Sequence, residues 1–205
     1  MQLKEEYLTD SPESVRTTEI IGGAIKTWAG VMIDPTKTVA PADVRIDDIA
    51  HALSLTCRYG GHIPEFYSVA DHSLNVLERM VAMGVDDRRL LLMGLLHDAE
   101  EAYLGDMPSP IKRRYKDYKN DGNRLREQIY MFYIKDYVNV PYNLRDLITQ
   151  ADADVYVMER MSFFQPWDIA VKTMRDKFDR APLRIRKPMQ FVEDRFLNEF
   201  NKLYA

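Results

Sequence analysis

One cysteine, Cys57, stands in the 205 residues, so neither an intrachain disulfide nor a zinc site built on several thiolates can form. A reducing compartment, the cytoplasm, is the expected setting. A basic excess is also missing. Lys and Arg number 28 against 32 for Asp and Glu, a formal charge of -4. That balance argues against a partner that is a nucleic-acid polymer, yet leaves room for a small anionic ligand in a local basic pocket. Long apolar runs are absent: the longest, Leu90 to Leu96, falls far short of the ~20 residues that span a bilayer, so no membrane partner is expected. Lys4, Glu5, Glu6 and Asp10 leave the first residues without the apolar stretch of a signal peptide. No P-loop, dinucleotide-binding glycine pattern or Ser/Cys nucleophile motif occurs, and Cys57 reads as a small buried side chain.

What is present is mostly helical in pattern. Ile20 to Ile33 mixes β-branched residues with glycine and is expected to form a short hairpin, after which Asp34-Pro35 and Ala40-Pro41 mark turns. Asp47-Asp48 open a helix that Gly60-Gly61 stops. Ser68 to Asp71 fits a capping box, with Val69, Val76, Met80 and Met83 at helical spacing and Gly84 ending the run. A further helix is expected from Asp86 to about Gly105, then a loop through Met107-Pro108-Ser109-Pro110. Asn120-Asp121 are read as the cap of a helix through Tyr137, and Asn143 as the cap of one reaching about Phe164. Pro166 interrupts, and a last amphipathic helix follows Lys187-Pro188. The fold expected is all-α, a single helical domain over 1–205. Its core would span about 45–165, with N-terminal (1–40) and C-terminal (166–205) extensions packed on it.

Only four histidines occur: His51, His62, His72 and His97. His72 shares a face with Val69, Val76 and Met80, and His97 with Leu90 and Met93, so both imidazoles are expected inside, where ring nitrogens need partners. Asp98 adjoins His97, and Glu101 lies four residues on, on the same flank. Any one of these alone would read as a hydrogen-bonded core residue. Together, His72, His97-Asp98 and Glu101 favour a cation, because a carboxylate buried beside an inward imidazole is costly unless paired. Imidazole and carboxylate ligands without thiolate suit Mn²⁺, Fe²⁺, Co²⁺ or Zn²⁺, with Mg²⁺ also open.

Ala70-Asp71-His72-Ser73-Leu74, Leu95-Leu96-His97-Asp98-Ala99-Glu100-Glu101, Leu104-Gly105-Asp106-Met107-Pro108-Ser109-Pro110-Ile111-Lys112 and Gln150-Ala151-Asp152-Ala153 together resemble the HD-domain metal-dependent phosphohydrolases. The bacterial 5'-deoxynucleotidase branch is the nearest, over about residues 45 to 160. The resemblance implies an HD-domain helical bundle with one divalent metal ion held by His72, His97, Asp98 and Asp152. Periodicity alone mildly favours Asp154 as the last ligand, because it sits nearer the centre of the stripe Leu144, Leu147, Ile148 and Ala151. Asp152 is chosen because ligands lie at the edge of such a stripe, where a site opens.

The resemblance further implies that Glu101 is the acid/base carboxylate, with Glu100 the better candidate for a solvated helix residue. It places Asp106 at a sugar hydroxyl and Arg58 at phosphate, with Tyr59, where the family has Trp, bordering base or sugar. His51, Leu55 and Arg58 fall on one helical face, which would turn His51 to the site as well. His62, past Gly60-Gly61, is a further candidate phosphate contact. Seven basic residues between Lys112 and Arg126 read as a solvated face, save Lys112, assigned to phosphate. The activity implied is hydrolysis of deoxynucleoside 5'-monophosphates. A deoxynucleoside triphosphate triphosphohydrolase and a catalytically inactive nucleotide- or metal-binding module are the alternatives. A small-molecule nucleotide is the expected partner, and a homodimer is open to the chain on the resemblance alone.

Overall fold

The structure, a computed structural model, describes residues 23–164, 183 and 185–205. Ile20 to Gly22 of the expected hairpin and the Pro166 break lie outside them. Two strands, β1 (Ile25–Lys26) and β2 (Met32–Ile33), pair antiparallel. Eight α-helices follow among the described residues: α1 (Ile46–Leu55), α2 (Val69–Ala82), α3 (Arg88–Leu95), α4 (Glu101–Leu104), α5 (Ser109–Lys112), α6 (Lys116–Tyr133), α7 (Asp146–Phe163) and α8 (Met189–Tyr204). The all-α class and the small hairpin agree with the sequence reading. None of these helices is long and apolar enough to cross a membrane.

Helix α2 runs through the middle, packed against α1, α3 and α7, while α8 closes the opposite side against α1, α3 and α2. Its stripe Val69, Val76 and Met80 meets Ile49 and Leu53 of α1, Leu92 and Leu95 of α3, Val155 of α7, and Phe196 and Phe200 of α8 in one apolar core. Ser68 caps α2 as expected, its hydroxyl accepting from the Asp71 N–H at 3.1 Å. The other half of the capping box is not made. The Asp71 carboxylate accepts instead from the Arg186 backbone N–H (2.9 Å) and guanidinium (2.7 Å), tying the segment before α8 onto α2.

Several helix boundaries depart from the sequence reading, and at two of them a local contact accompanies the change. Helix α1 ends at Leu55, not at the glycines. Thr56 is already extended, and the chain there pairs with the strand-like stretch before α2 through Arg58 N–H to Tyr67 O and Val69 N–H to Thr56 O, both 3.0 Å. The expected helix from Asp86 to Gly105 breaks after Leu95, and residues 96–100 form turns before α4. The Gly94 carbonyl, which a continuing helix would offer to the Asp98 N–H, is taken by His97 Nδ1 at 2.8 Å. Helix α6 starts at Lys116, so Asn120 and Asp121 lie inside it, and it stops at Tyr133. Asn143 sits in a 3₁₀ turn (Tyr142–Arg145) that leads into α7.

The hairpin is pinned by a residue the sequence assigned only to a helix terminus. Asp48 is buried, and its Oδ1 accepts from the Ala29 N–H at 2.6 Å. Trp28 stacks on the His51 ring, with centroids 4.5 Å apart, and His51 Nδ1 lies 3.2 Å from Glu193 on α8.

Where α2 and α3 cross there is no room for a side chain at Gly94. A Cβ built there would lie 2.2 Å from Met80 Sδ, and Met80 is fully buried. Gly94→Ala is therefore expected to destabilise the protein by about 1–3 kcal/mol, the usual cost of overpacking a core. Chemical denaturation of the two proteins checks it; equal midpoints would mean that α2 and α3 can separate freely.

Candidate metal centre

Three elements bring the centre together. Helix α2 carries His72 one turn after its cap, the turn after α3 carries His97 and Asp98, and α7 carries Asp152. His72 Nε2 and His97 Nε2 face each other at 3.2 Å. Asp152 Oδ1 is 3.1 Å from the first and 3.9 Å from the second. Asp98 Oδ2 is 3.7 Å and 3.2 Å from the same two atoms. Asp152 stands at the rim, its side chain 45% exposed. Asp154, at the centre of the apolar stripe, points elsewhere and accepts from Arg79 and Gln150, each at 2.7 Å.

The far side of each ring decides what these nitrogens can do. His72 Nδ1 lies 2.6 Å from Glu159 Oε1, and His97 Nδ1 lies 2.8 Å from the Gly94 carbonyl. An ionised carboxylate and a carbonyl only accept, so both Nδ1 atoms must donate, and in the neutral rings both Nε2 atoms are bare lone pairs. Two lone pairs 3.2 Å apart repel unless a cation lies between them. Asp98 and Asp152 add two negative charges at the same point. Two neutral imidazoles and two carboxylates around one spot match a divalent cation in charge and in donor type. Single ligand atoms of His72, His97 and Asp152 all fall within 4.8 Å of one another.

With protons alone, the cluster behaves as an ion-pair network. Burial pushes the His97 ring toward its neutral form, but the adjoining Asp98 carboxylate outweighs burial and raises it to about 9. Asp98 is pushed up by burial and drawn well below the usual carboxylate range by His97, His72 and Arg58. Burial, with the negative charges of Asp98 and Asp106, raises Glu101 to about 9. Glu101 is 4% exposed. Its Oε1 accepts from Lys112 Nζ at 3.0 Å, while its Oε2 has no partner among the described residues.

Two clefts meet at the centre, with Asp98 and Asp152 in the walls of both. One, of about 490 Å³, is lined by Arg58, Glu101, Asp106, Lys112, Arg113 and Tyr156 among others. The other, of about 330 Å³, opens between α6 and α7 past Arg126, Tyr130, Tyr142, Arg145 and Thr149. In the first, Arg58 is held between Asp98 (Nη1 to Oδ2, 3.6 Å) and Glu159 (Nη2 to Oε2, 3.3 Å). Its Nε is buried without a partner among the described residues.

Several expected site residues lie elsewhere. His51 is engaged by Trp28 and Glu193 and lines neither cleft. The helical face that joined it to Arg58 does not exist, because α1 ends between them. His62 stands exposed beyond Gly60 and Gly61, whose positive φ angles turn the loop outward. Tyr59 adopts a left-handed backbone (φ 59°) that turns its hydroxyl to Glu159, 2.6 Å away. Its ring packs edge-on against Phe164 and not along the cleft. Glu100, expected in solvent, is 2% exposed and bonded to Arg126 at 2.8 Å. Within the basic run, Arg126 turns inward to Glu100 and Lys112 to Glu101, while Arg113 stays exposed at the rim of the larger cleft. Glu159 was missed. Its signal was its place two helical turns after Asp152, on the same face of one helix.

The family model described as "5'-deoxynucleotidase YfbR-like" matches residues 65–146, which include His72, His97, Asp98, Glu101 and Lys112 and end before Asp152 and Glu159. A protein of Escherichia coli (strain K12), "Uncharacterized protein YfdR", is 35% identical over 128 residues, 62% of this chain and 68% of that protein. Another from Rhodobacter capsulatus, "Uncharacterized protein RCAP_rcc00048", is 39% identical over 105 residues, 49% of this chain and 51% of that protein. With the helical bundle and the His-Asp cluster already described, these matches make the chain a member of the YfbR-like family of HD-domain phosphohydrolases.

Proposed function

We propose that this protein hydrolyses deoxynucleoside 5'-monophosphates to deoxynucleoside and phosphate, with one divalent metal ion held by His72, His97, Asp98 and Asp152. The observation that carries this reading is the pair of Nε2 atoms 3.2 Å apart, both committed to the acceptor role by their Nδ1 partners, with two carboxylates beside them. Bound there, the metal would acidify a water and polarise the phosphoryl oxygens. The family match accords with this reading, in which residues 1–205 act as one catalytic unit.

The chain's own groups then divide the work. Arg58 and Lys112 face the larger cleft with Asp98 and Asp152. The Arg58 guanidinium, in the wall of that cleft, would donate to phosphate oxygens in the forked geometry that suits oxyanions. Glu101 keeps its proton at neutral pH because burial and two neighbouring carboxylates disfavour its charge. It is thereby suited to protonate the departing sugar oxygen, with Lys112 holding its other oxygen in place. Asp106, half-buried in the same wall, would accept from a sugar hydroxyl.

The test is a panel of mono- and triphosphates, ribo and deoxy, incubated with Mn²⁺ or Co²⁺, the products separated by chromatography. Inorganic phosphate from deoxynucleoside monophosphates is the expected product. Arg113, Arg126 and Arg145 offer further cations around the two clefts, which favours triphosphates as the second reading. Triphosphate released from deoxynucleotides, with monophosphates untouched, would establish that reading, and no turnover in any metal would leave a binding module.

The two aspartates on α7 are expected to separate. Asp152→Asn should lower bound metal and activity together with little change in melting temperature. Asp154→Asn should keep the metal and cost about 1–3 kcal/mol of stability by weakening a charged hydrogen-bond set. Elemental analysis and thermal melts read both outcomes, and the reverse pattern would move the ligand to Asp154.

Glu101→Gln should cut kcat by about 10²–10⁴-fold, the range of a lost general acid, while metal content holds. For the wild type, activity needs the protonated form, so kcat/KM should fall as pH rises through the Glu101 pKa. The limb is expected at or below about 9, because a bound cation offsets the neighbouring negative charge. A pH–rate profile without an alkaline limb that Glu101→Gln removes would take the proton from Glu101.

A further inference from the structure

One buried carboxylate beside the centre has no part in the reaction steps above. Glu159 is fully buried and lines neither cleft. Its two oxygens serve two different sets of partners. Oε1 accepts from His72 Nδ1 at 2.6 Å. Oε2 accepts from the Tyr59 hydroxyl at 2.6 Å and from Arg58 Nη2 at 3.3 Å. With an imidazole N–H, a hydroxyl and a guanidinium all donating to its two oxygens, Glu159 serves as an acceptor-only carboxylate. A carboxylate with no access to solvent is costly, and this one stands where it spans the His72 imidazole and the Arg58 guanidinium.

The geometry points to Glu159 as a positioning residue that sets His72 toward the metal and Arg58 toward the phosphate at once. This rests on the reading of the site proposed above. On the first side, the Nδ1–H to Oε1 bond fixes the ring's rotation and tautomer, so the bare Nε2 faces Asp98 and Asp152. Hydrogen-bonding the rear nitrogen to an anion also makes Nε2 a stronger donor to a metal. On the second side, Oε2 and Asp98 brace the Arg58 guanidinium from two directions, in the wall of the larger cleft. Tyr59 completes the second oxygen, which accounts for its left-handed backbone. That conformation aims the hydroxyl inward, and the residue lost to the cleft wall becomes part of the brace.

A carboxylate offers two acceptors, which is what two donor sets require. An amide offers one acceptor and one donor. In Glu159→Gln the amide oxygen can satisfy His72 only if its NH₂ faces Tyr59 and Arg58, and the guanidinium, a donor itself, is then turned away. The opposite placement sets the NH₂ against His72 Nδ1 and drives the ring proton to Nε2, where it competes with the metal.

The experiment titrates the metal-free full-length protein with Mn²⁺ by calorimetry, then the Mn²⁺-saturated protein with orthophosphate, for wild type and Glu159→Gln. Folding is followed by circular dichroism and thermal melts. The expected result is a folded variant whose Mn²⁺ dissociation constant rises about 10–100-fold, the usual effect of losing such a partner. Its orthophosphate affinity falls in parallel. Arg58→Ala should weaken orthophosphate binding without weakening Mn²⁺ binding. If Glu159→Gln does not fold, Glu159→Asp, which keeps the charge but is too short to reach both sets, is expected to weaken the same two affinities. A folded variant within about twofold of wild type for Mn²⁺, or a loss of melting temperature alone, would overturn the assignment. So would a failure of both variants to fold. A wild type that binds no Mn²⁺ would overturn this role and the metal reading together. Normal Mn²⁺ and orthophosphate behaviour without phosphate release from any nucleotide would overturn the proposed function alone and leave Glu159 in its role.

Discussion

The Nε2 atoms of His72 and His97 can face each other at 3.2 Å only because each ring is fixed from behind, one by Glu159 and one by the Gly94 carbonyl. Everything near the centre follows from that constraint. Helix α3 ends at Leu95, and the Gly94 carbonyl in its last turn accepts from His97 Nδ1. The break frees Asp98 to turn toward the same point. Helix α7 must then lie against α2 so that Asp152 arrives from one end of its buried face and Glu159 from the other. Gly94 is used twice, as the acceptor for His97 and as the gap that admits Met80. The same residue therefore brings α2 and α3 together and orients a ring in the turn that follows α3.

Charge is arranged in layers outward from this point. The two ring nitrogens and two carboxylates form the innermost layer, with Arg58 against Asp98 and Glu159. Glu101 with Lys112, and Glu100 with Arg126, lie further out. Asp98, Glu100, Glu101 and Glu159 each have a basic neighbour. The neighbours are unequal, however: Asp98 stays ionised, whereas burial raises Glu100 to about 7 and Glu101 to about 9. Carboxylates within one turn of chain thus hold their protons with very different strength, a separation that the -4 net charge of the chain does not reveal.

The helical architecture was legible because it rests on periodic apolar residues, and α2 with its Ser68 cap was read almost to the residue. His72, His97, Asp98 and Asp152 were legible because they sit in short, distinctive strings. What was not legible depended on where helices stop. Extending α1 as far as Gly60 put His51 and Arg58 on one face, and the extended pairing of Arg58 with Tyr67 cancels that geometry. A continuous helix through His97 left Glu100 in solvent, and the turns there bury it. Glu159 went unnoticed because it belongs to no recognised string, although its spacing from Asp152 placed it on the same face. Spacing rules are safe inside an uninterrupted helix and fail across a break, and here the breaks occur at the site.

The two clefts that share Asp98 and Asp152 have a stereochemical consequence. In a direct displacement at phosphorus, the entering and departing oxygens stand on opposite sides of the atom, in line. A phosphoryl group seated beside Asp98 and Asp152 would border two chambers of unequal volume. If the larger takes the alcohol and the smaller the water, the two need not pass each other.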